Sequence, residues 1–171
     1  MTGYVALLRG VNLMGSTTLR MTDLKRIAEQ LGLDNVRTYI ASGNLLFASR
    51  KREQAIKAAL EAAIGKHMSR EVGVMVRTAD EISDVAAANP FASEPGNKVV
   101  AIFFDGQPAQ DAIEQAANVT NERLALGKRE IYVHYPSGQG ASKLNLRARA
   151  LGTARNMNTV AKLAELAREM S

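Results

Sequence analysis

Two short segments, "YVALL" (Tyr4–Leu8) and "VVAIFF" (Val99–Phe104), are apolar at every position. A strand with one face in water alternates apolar and polar residues. A strand apolar on both sides is one that is covered on both sides. The chain must therefore bury sheet on two faces, and the rest of the sequence has to fit around that demand. The same pattern argues against an open sheet that stacks nucleic-acid bases, because such a sheet needs exposed aromatic residues on its central strands.

Around each segment the periodicity predicts a similar succession. After the first strand (Tyr4–Val11), Leu24, Ile27, Ala28 and Leu31 share one helical face, so Thr22–Leu31 reads as a helix, with Thr22 as N-cap and Gly32 as its stop. Val36–Ala41 and Leu45–Ala48 read as strands joined by the tight-turn triplet Ser42-Gly43-Asn44. Arg52–Met68 is a second helix and Val72–Arg77 a fourth strand. The order β-α-β-β-α-β is the ferredoxin-like unit. Thr78 and Glu81 then form a capping box for a third helix that ends near Asn89-Pro90. "FASEPGN" (Phe91–Asn97) reads as a linker.

The second succession begins with Val99–Phe104. A helix is expected over Pro108–Ala117, a hairpin from Glu122–Leu126 to Glu130–Tyr135 across Gly127-Lys128, a short helix near Ser142–Leu151, and a last helix over Asn158–Met170. The expectation is an α+β protein of two related ferredoxin-like (β-α-β-β-α) halves, residues 1–88 and 89–171, sharing one core. The second half ends in a helix where the first ends in a strand.

The chain has no cysteine, which excludes disulfides, thiol catalysis and zinc–thiolate sites and fits a reducing compartment. No apolar run approaches the roughly 20 residues that span a bilayer. The N-terminal segment lacks a basic stretch and is broken by Arg9, so it reads as a strand and not a signal peptide. A soluble cytoplasmic protein that engages no membrane is expected. The net charge of +5 is unevenly spread: residues 1–127 hold 14 Lys/Arg and 14 Asp/Glu, whereas residues 128–171 hold 8 and 3. A local positive field of this kind favours phosphates, carboxylates or nucleic acid.

No metalloprotease, nucleophile-elbow or complete P-loop motif is present, and no metal or cofactor is called for. Of the two histidines, His67 sits at a predicted helix end and His134 on a strand near the basic face. His134 is the candidate acid–base group. In "SGQGASK", Gly138 and Gly140 precede a predicted helix start at Ser142, the arrangement that offers unpaired N–H groups to an anion, with Lys143 adding a charge. "TARNMNT" places Arg155, Asn156 and Asn158 in one short stretch, more polar groups than capping needs, and a guanidinium there suits a carboxylate or phosphate. Arg9, in "RGVN", has the same glycine-hinged setting as the "SGN" turn. Strand one's end and that turn are expected on opposite edges of the unit.

The motifs "ALLRGVN", "RMTDL", "NVRTYIASGNLLF", "NPF", "EIYVHYPSGQGASKL" and "TARNMNTV" with its following "KL" occur in an order and spacing that resembles the bacterial domain-of-unknown-function 1697 family. The resemblance implies an α+β architecture of two related ferredoxin-like halves, and it carries no assigned activity. The chain departs from the family pattern at Leu13–Thr18, where a glycine-rich, lysine-bearing loop is usual, and at Met157, where tryptophan is usual.

Three functions fit the residues. The first is binding of an anionic ligand, a nucleotide, nucleic acid or phosphorylated metabolite, through Lys143, Arg155, Asn156, Asn158 and Arg9. The second is an enzyme acting on a small phosphorylated or carboxylated substrate with His134 or Ser142. The third is a structural or interaction protein. A binder should show a basic groove, an enzyme a pocket with a base beside a nucleophile, and a structural protein motif side chains bonded to its own backbone.

Overall fold

The computed structural model describes residues 1–12 and 18–170. The described residues form a mixed α/β structure of two four-stranded antiparallel sheets and four α-helices. The first sheet has the order β2-β3-β1-β4, from β1 (Thr2–Leu8), β2 (Asp34–Thr38), β3 (Asn44–Ser49) and β4 (Val74–Thr78). The second has the order β6-β7-β5-β8, from β5 (Val99–Phe103), β6 (Arg123–Leu126), β7 (Glu130–His134) and β8 (Thr153–Asn156). The helices are α1 (Met21–Gln30), α2 (Glu53–Met68), α3 (Ala79–Ala87) and α4 (Met157–Arg168).

The chain divides into two compact units, residues 1–82 with 163–171, and residues 83–162. In unit 1, Tyr4, Ala6 and Leu8 of β1 pack with Leu45 and Phe47 of β3 and Val74 and Val76 of β4. Leu24, Ile27 and Ala28 of α1 and Ile56, Leu60 and Ile64 of α2 complete this core. It is the i, i+3, i+4 stripe of two helices laid on one face of a pleated sheet. In β1, β3, β5 and β7 nearly every residue is buried, on both faces of the strand, as the unbroken apolar runs of β1 and β5 require.

Unit 2 has the same strand order but covers its sheet differently. Val100, Ile102, Ile131 and Val133 pack with Ala112, which lies on a turn, and Leu146, which immediately precedes a 3₁₀ turn. The helix expected over Pro108–Ala117 is a run of turns, with Ala112 N–H on the Ala109 carbonyl and Gln115 N–H on that of Asp111. Ile113 is the only bulky apolar residue in that stretch, and a short helix without an apolar stripe to dock is marginal. The helix expected near Ser142–Leu151 is replaced by 3₁₀ turns at Gln139–Ala141 and Arg147–Leu151. Leu144 and Leu146, two residues apart, face the core, a spacing that does not build a helical stripe.

Three further expectations are corrected. "TARN" is a strand, β8, paired with β5, so the second sheet ends as the first does, in a strand followed by a helix. "FASEPGN" is no linker: Phe91 is 8% exposed, its N–H bonds Asn89 Oδ1, and the segment leads through a 3₁₀ turn at Gly96–Lys98 into β5. The capping box is present, with Thr78 N–H on Glu81 Oε1 at 2.9 Å and Glu81 N–H on Thr78 Oγ1 at 3.1 Å. Thr22 does not cap α1, because the helix begins one residue earlier, after Arg20.

Candidate functional site

The most concentrated meeting of sequence motifs is in unit 1, at the end of β1. Because β1 runs antiparallel to both β3 and β4, its C-terminal end lies beside their N-terminal ends: Leu7 is opposite Asn44 and Leu8 is opposite Val74. "RGVN" and "SGN" are therefore neighbours and not on opposite edges. Leu8 N–H donates to the Gly43 carbonyl at 2.9 Å and Arg9 N–H to the Gly73 carbonyl at 2.8 Å. Asn12 uses its whole amide: Nδ2 donates to the carbonyls of Leu19 (2.9 Å) and Ala41 (2.6 Å), and Oδ1 accepts from Leu19 N–H (2.6 Å). Buried Asn44 holds the adjacent turn through Nδ2 bonds to the Tyr39 carbonyl and Ser42 Oγ.

Two guanidinium groups stand at this end. Arg70 Nη2 donates to the Gly10 carbonyl at 2.9 Å. The Arg9 side chain is exposed and runs along Gly73, close enough that a β-carbon there would lie 3.6 Å from Arg9 Nε. Gly10 and Asn12 both have left-handed backbone, with φ of 68° and 56°. Of the loop Leu13–Thr18 that departs from the family pattern, residues 13–17 lie outside the described residues.

The C-terminal candidates lie in unit 2. Arg155 is 7% exposed and donates from Nη1 to Thr153 Oγ1 (2.6 Å) and the Ala154 carbonyl (2.9 Å). Burial pulls its pKa down to about 10, still high enough to keep it charged at neutral pH. Asn156 is the N-cap of α4, its Oδ1 accepting from Thr159 N–H at 2.9 Å. Asn158 is exposed in the first turn and packs against Gly96, where a β-carbon would come within 2.1 Å of its Oδ1. Lys143 is exposed and makes no hydrogen bond or ion pair among the described residues. Counted by unit, 13 Lys and Arg stand against 10 Asp and Glu in unit 1, and 9 against 7 in unit 2.

Ser142 and His134 serve separate networks. Ser142 Oγ donates its proton to Glu122 Oε2 at 2.6 Å and accepts from Leu144 N–H, so it shapes a turn instead of starting a helix. Glu122 also accepts from Thr120 N–H, and these bonds, that of Ser142 first, hold its pKa at about 2. Buried His134 has Arg123 Nη2 at 3.1 Å from Nδ1 and Glu94 Oε2 at 3.6 Å from Nε2. With Nδ1 accepting from the arginine, the ring proton belongs on Nε2, toward Glu94. Arg123 also pairs with Glu94 and lies over the Phe91 ring, 5.0 Å from its centre. The network of Phe91, Glu94 and Arg123 around His134 joins residues far apart in sequence, and only the "NPF" motif hinted at it.

Among the described residues no helix is long and apolar enough to cross a membrane. No curated protein matches the chain. The structure of the conserved bacterial protein SP0830 from Streptococcus pneumoniae is similar, with a TM-score of 0.82 over 97% of this chain and 98% of that one, at 23% identity. That likeness establishes a shared fold. An unknown protein from Galdieria sulphuraria aligns over 98% of this chain and 92% of its own at 13% identity, with a TM-score of 0.31. The family described as Protein of unknown function (DUF1697) matches residues 1–132, and the chain belongs to that family.

Proposed function

We propose that this protein binds a small anion, a molecule bearing a phosphate or carboxylate, at the end of β1 in unit 1. The observation that carries the reading is the placement of two guanidinium groups there, Arg70 anchored on the Gly10 carbonyl and Arg9 alongside Gly73. Guanidinium groups offer planar forks that match oxyanions. Of the residues that the sequence assigns to anion binding, Arg9 is the best placed. Lys143 and Asn158 are exposed in unit 2 and remain available to an anion, whereas Arg155 and Asn156 serve the fold. The shared strand order supports reading the chain as two ferredoxin-like halves, residues 1–88 and 89–171, and a cytoplasmic location fits the absence of cysteine.

Thermal shift with inorganic pyrophosphate, ATP and a short single-stranded oligonucleotide tests the reading. A probe at about 100 times its dissociation constant stabilises by about 2.7 kcal/mol. Arg9→Ala should lose that shift while the variant still folds cooperatively. Equal shifts in both proteins, or none with any probe, overturn the assignment. Oligonucleotide binding that falls steeply with salt would identify the anion as a nucleic-acid backbone.

A structural or interaction role is the second reading, favoured by one observation. Asn12, Asn44, Arg155 and Asn156 all bond to the protein's own backbone. Catalysis by Ser142 and His134 draws no such support. The serine proton is given to a carboxylate that is a weak base, and both histidine nitrogens face charged partners.

A further inference from the structure

A groove of about 380 Å³ lies between α1 and α2 in unit 1, lined by Arg26, Ile27, Gln30, Leu31, Ala63, Lys66 and His67. The spacing explains its chemistry. Ile27 and Leu31 are one turn apart on α1, as are Arg26 and Gln30 beside them, while Ala63 precedes Lys66 and His67 by one turn on α2. α1 and its C-terminal end thus contribute two branched apolar side chains to the floor and α2 a single alanine, while both helices contribute polar groups to the rim. Ala63 is too short to close the gap, so Leu31 and Ala63 are only partly buried. The rim holds three basic residues and no acid. Asp23, a turn earlier on α1, bonds Arg26 at 3.1 Å and faces His67 at 3.7 Å, which orients those two groups. Lys66 is exposed and has no ion pair among the described residues.

Cations in the last turn of α2 suit the helix dipole, which accounts for Lys66 and His67 but not for an apolar floor left open between them. Ligand sites of this size are apolar with a few placed polar groups. We infer that the α1–α2 groove binds a small amphiphilic anion, an aliphatic chain of a few carbons on Ile27, Leu31 and Ala63 with its carboxylate at Lys66. The site is independent of the one at the end of β1.

The test is a titration of the full chain, labelled with nitrogen-15 for amide NMR, using octanoate, 1-octanol and inorganic phosphate in separate arms. Saturable shifts with octanoate at Gln30, Leu31, Ala63, Lys66 and His67 are expected, with weaker binding of octanol and no binding of phosphate in the groove. Ala63→Leu, which fills the floor, should weaken octanoate more than tenfold. Lys66→Gln, at an exposed position that leaves folding intact, should weaken octanoate by roughly two- to fivefold and leave octanol unchanged. Octanol binding as tightly as octanoate, shifts that lie outside the groove, or no saturation each overturn the proposal.

Discussion

Arg77 and Arg155 hold the same position in their two sheets. Arg77 on β4 lies opposite Val5 of β1, and Arg155 on β8 lies opposite Ala101 of β5. Both are buried, at 1% and 7% exposure, and each donates from Nη1 to the carbonyl of the residue before it, Val76 or Ala154. A buried guanidinium persists only when its donors are used. The matched pair therefore marks a structural role repeated in both sheets.

Arg155→Lys should destabilise the protein by about 1–3 kcal/mol in chemical denaturation. An ammonium is more strongly hydrated and lacks the planar fork that serves Thr153 and Ala154 together. Arg77→Lys should act in the same direction. Wild-type stability in both variants would remove the structural role and return Arg155 to the candidate ligand groups.

Glu122 predicts an acid dependence. Its folded pKa of about 2 lies below the ordinary 4.5, so its contribution is complete above pH 4.5 and is lost as pH falls through 2. The stability gap between wild type and Glu122→Gln should be constant from pH 5 to 7 and close below pH 4.5. Ser142→Ala should narrow the gap, because the serine hydroxyl is the first cause of the depression. A gap that does not change with pH would mean that the carboxylate is no better solvated here than in the unfolded chain.

Gly43→Ala should be among the most damaging small substitutions. Its φ of 89° is left-handed, and a β-carbon would meet Val11 Cγ2 at 2.7 Å and Leu8 Cβ at 2.9 Å. Strain and overpacking together should cost about 2–4 kcal/mol. Gly32→Ala, with left-handed φ but open space around it, should cost about 1 kcal/mol, which isolates the strain part and leaves the difference as the packing part. Equal losses in the two variants would show that backbone strain alone matters at the turn.

Arg123→Met should loosen the segment after Pro90. The change removes the contact over Phe91 and the bonds to His134 and Glu94 but keeps an unbranched side chain. A cost of about 1–2 kcal/mol is expected. Amide exchange should speed up at residues 91–98 and not in β1 or β3. Uniform acceleration would mean that the network does not act locally.

The sequence by itself determined the covered strands, because Tyr4–Leu8 and Val99–Phe103 carry no polar residue to turn toward water. It also determined α1 and α2, whose apolar residues recur at helical spacing, and the capping box at Thr78 and Glu81, which is a local reciprocal bond. The tertiary structure decided what local pattern could not. Pro108–Ala117 has helix-forming residues but no stripe to dock, so it folds as turns on Ile102 and Ile131. "TARN" looks polar along the chain, yet pairing with β5 makes it a strand and buries Arg155. The meeting of "RGVN" with "SGN" follows from the antiparallel pairing of β1 and β3, which brings residues more than 30 positions apart to one end of a sheet. Side-chain roles at such places are set by neighbours distant in sequence, and only the folded chain supplies those neighbours.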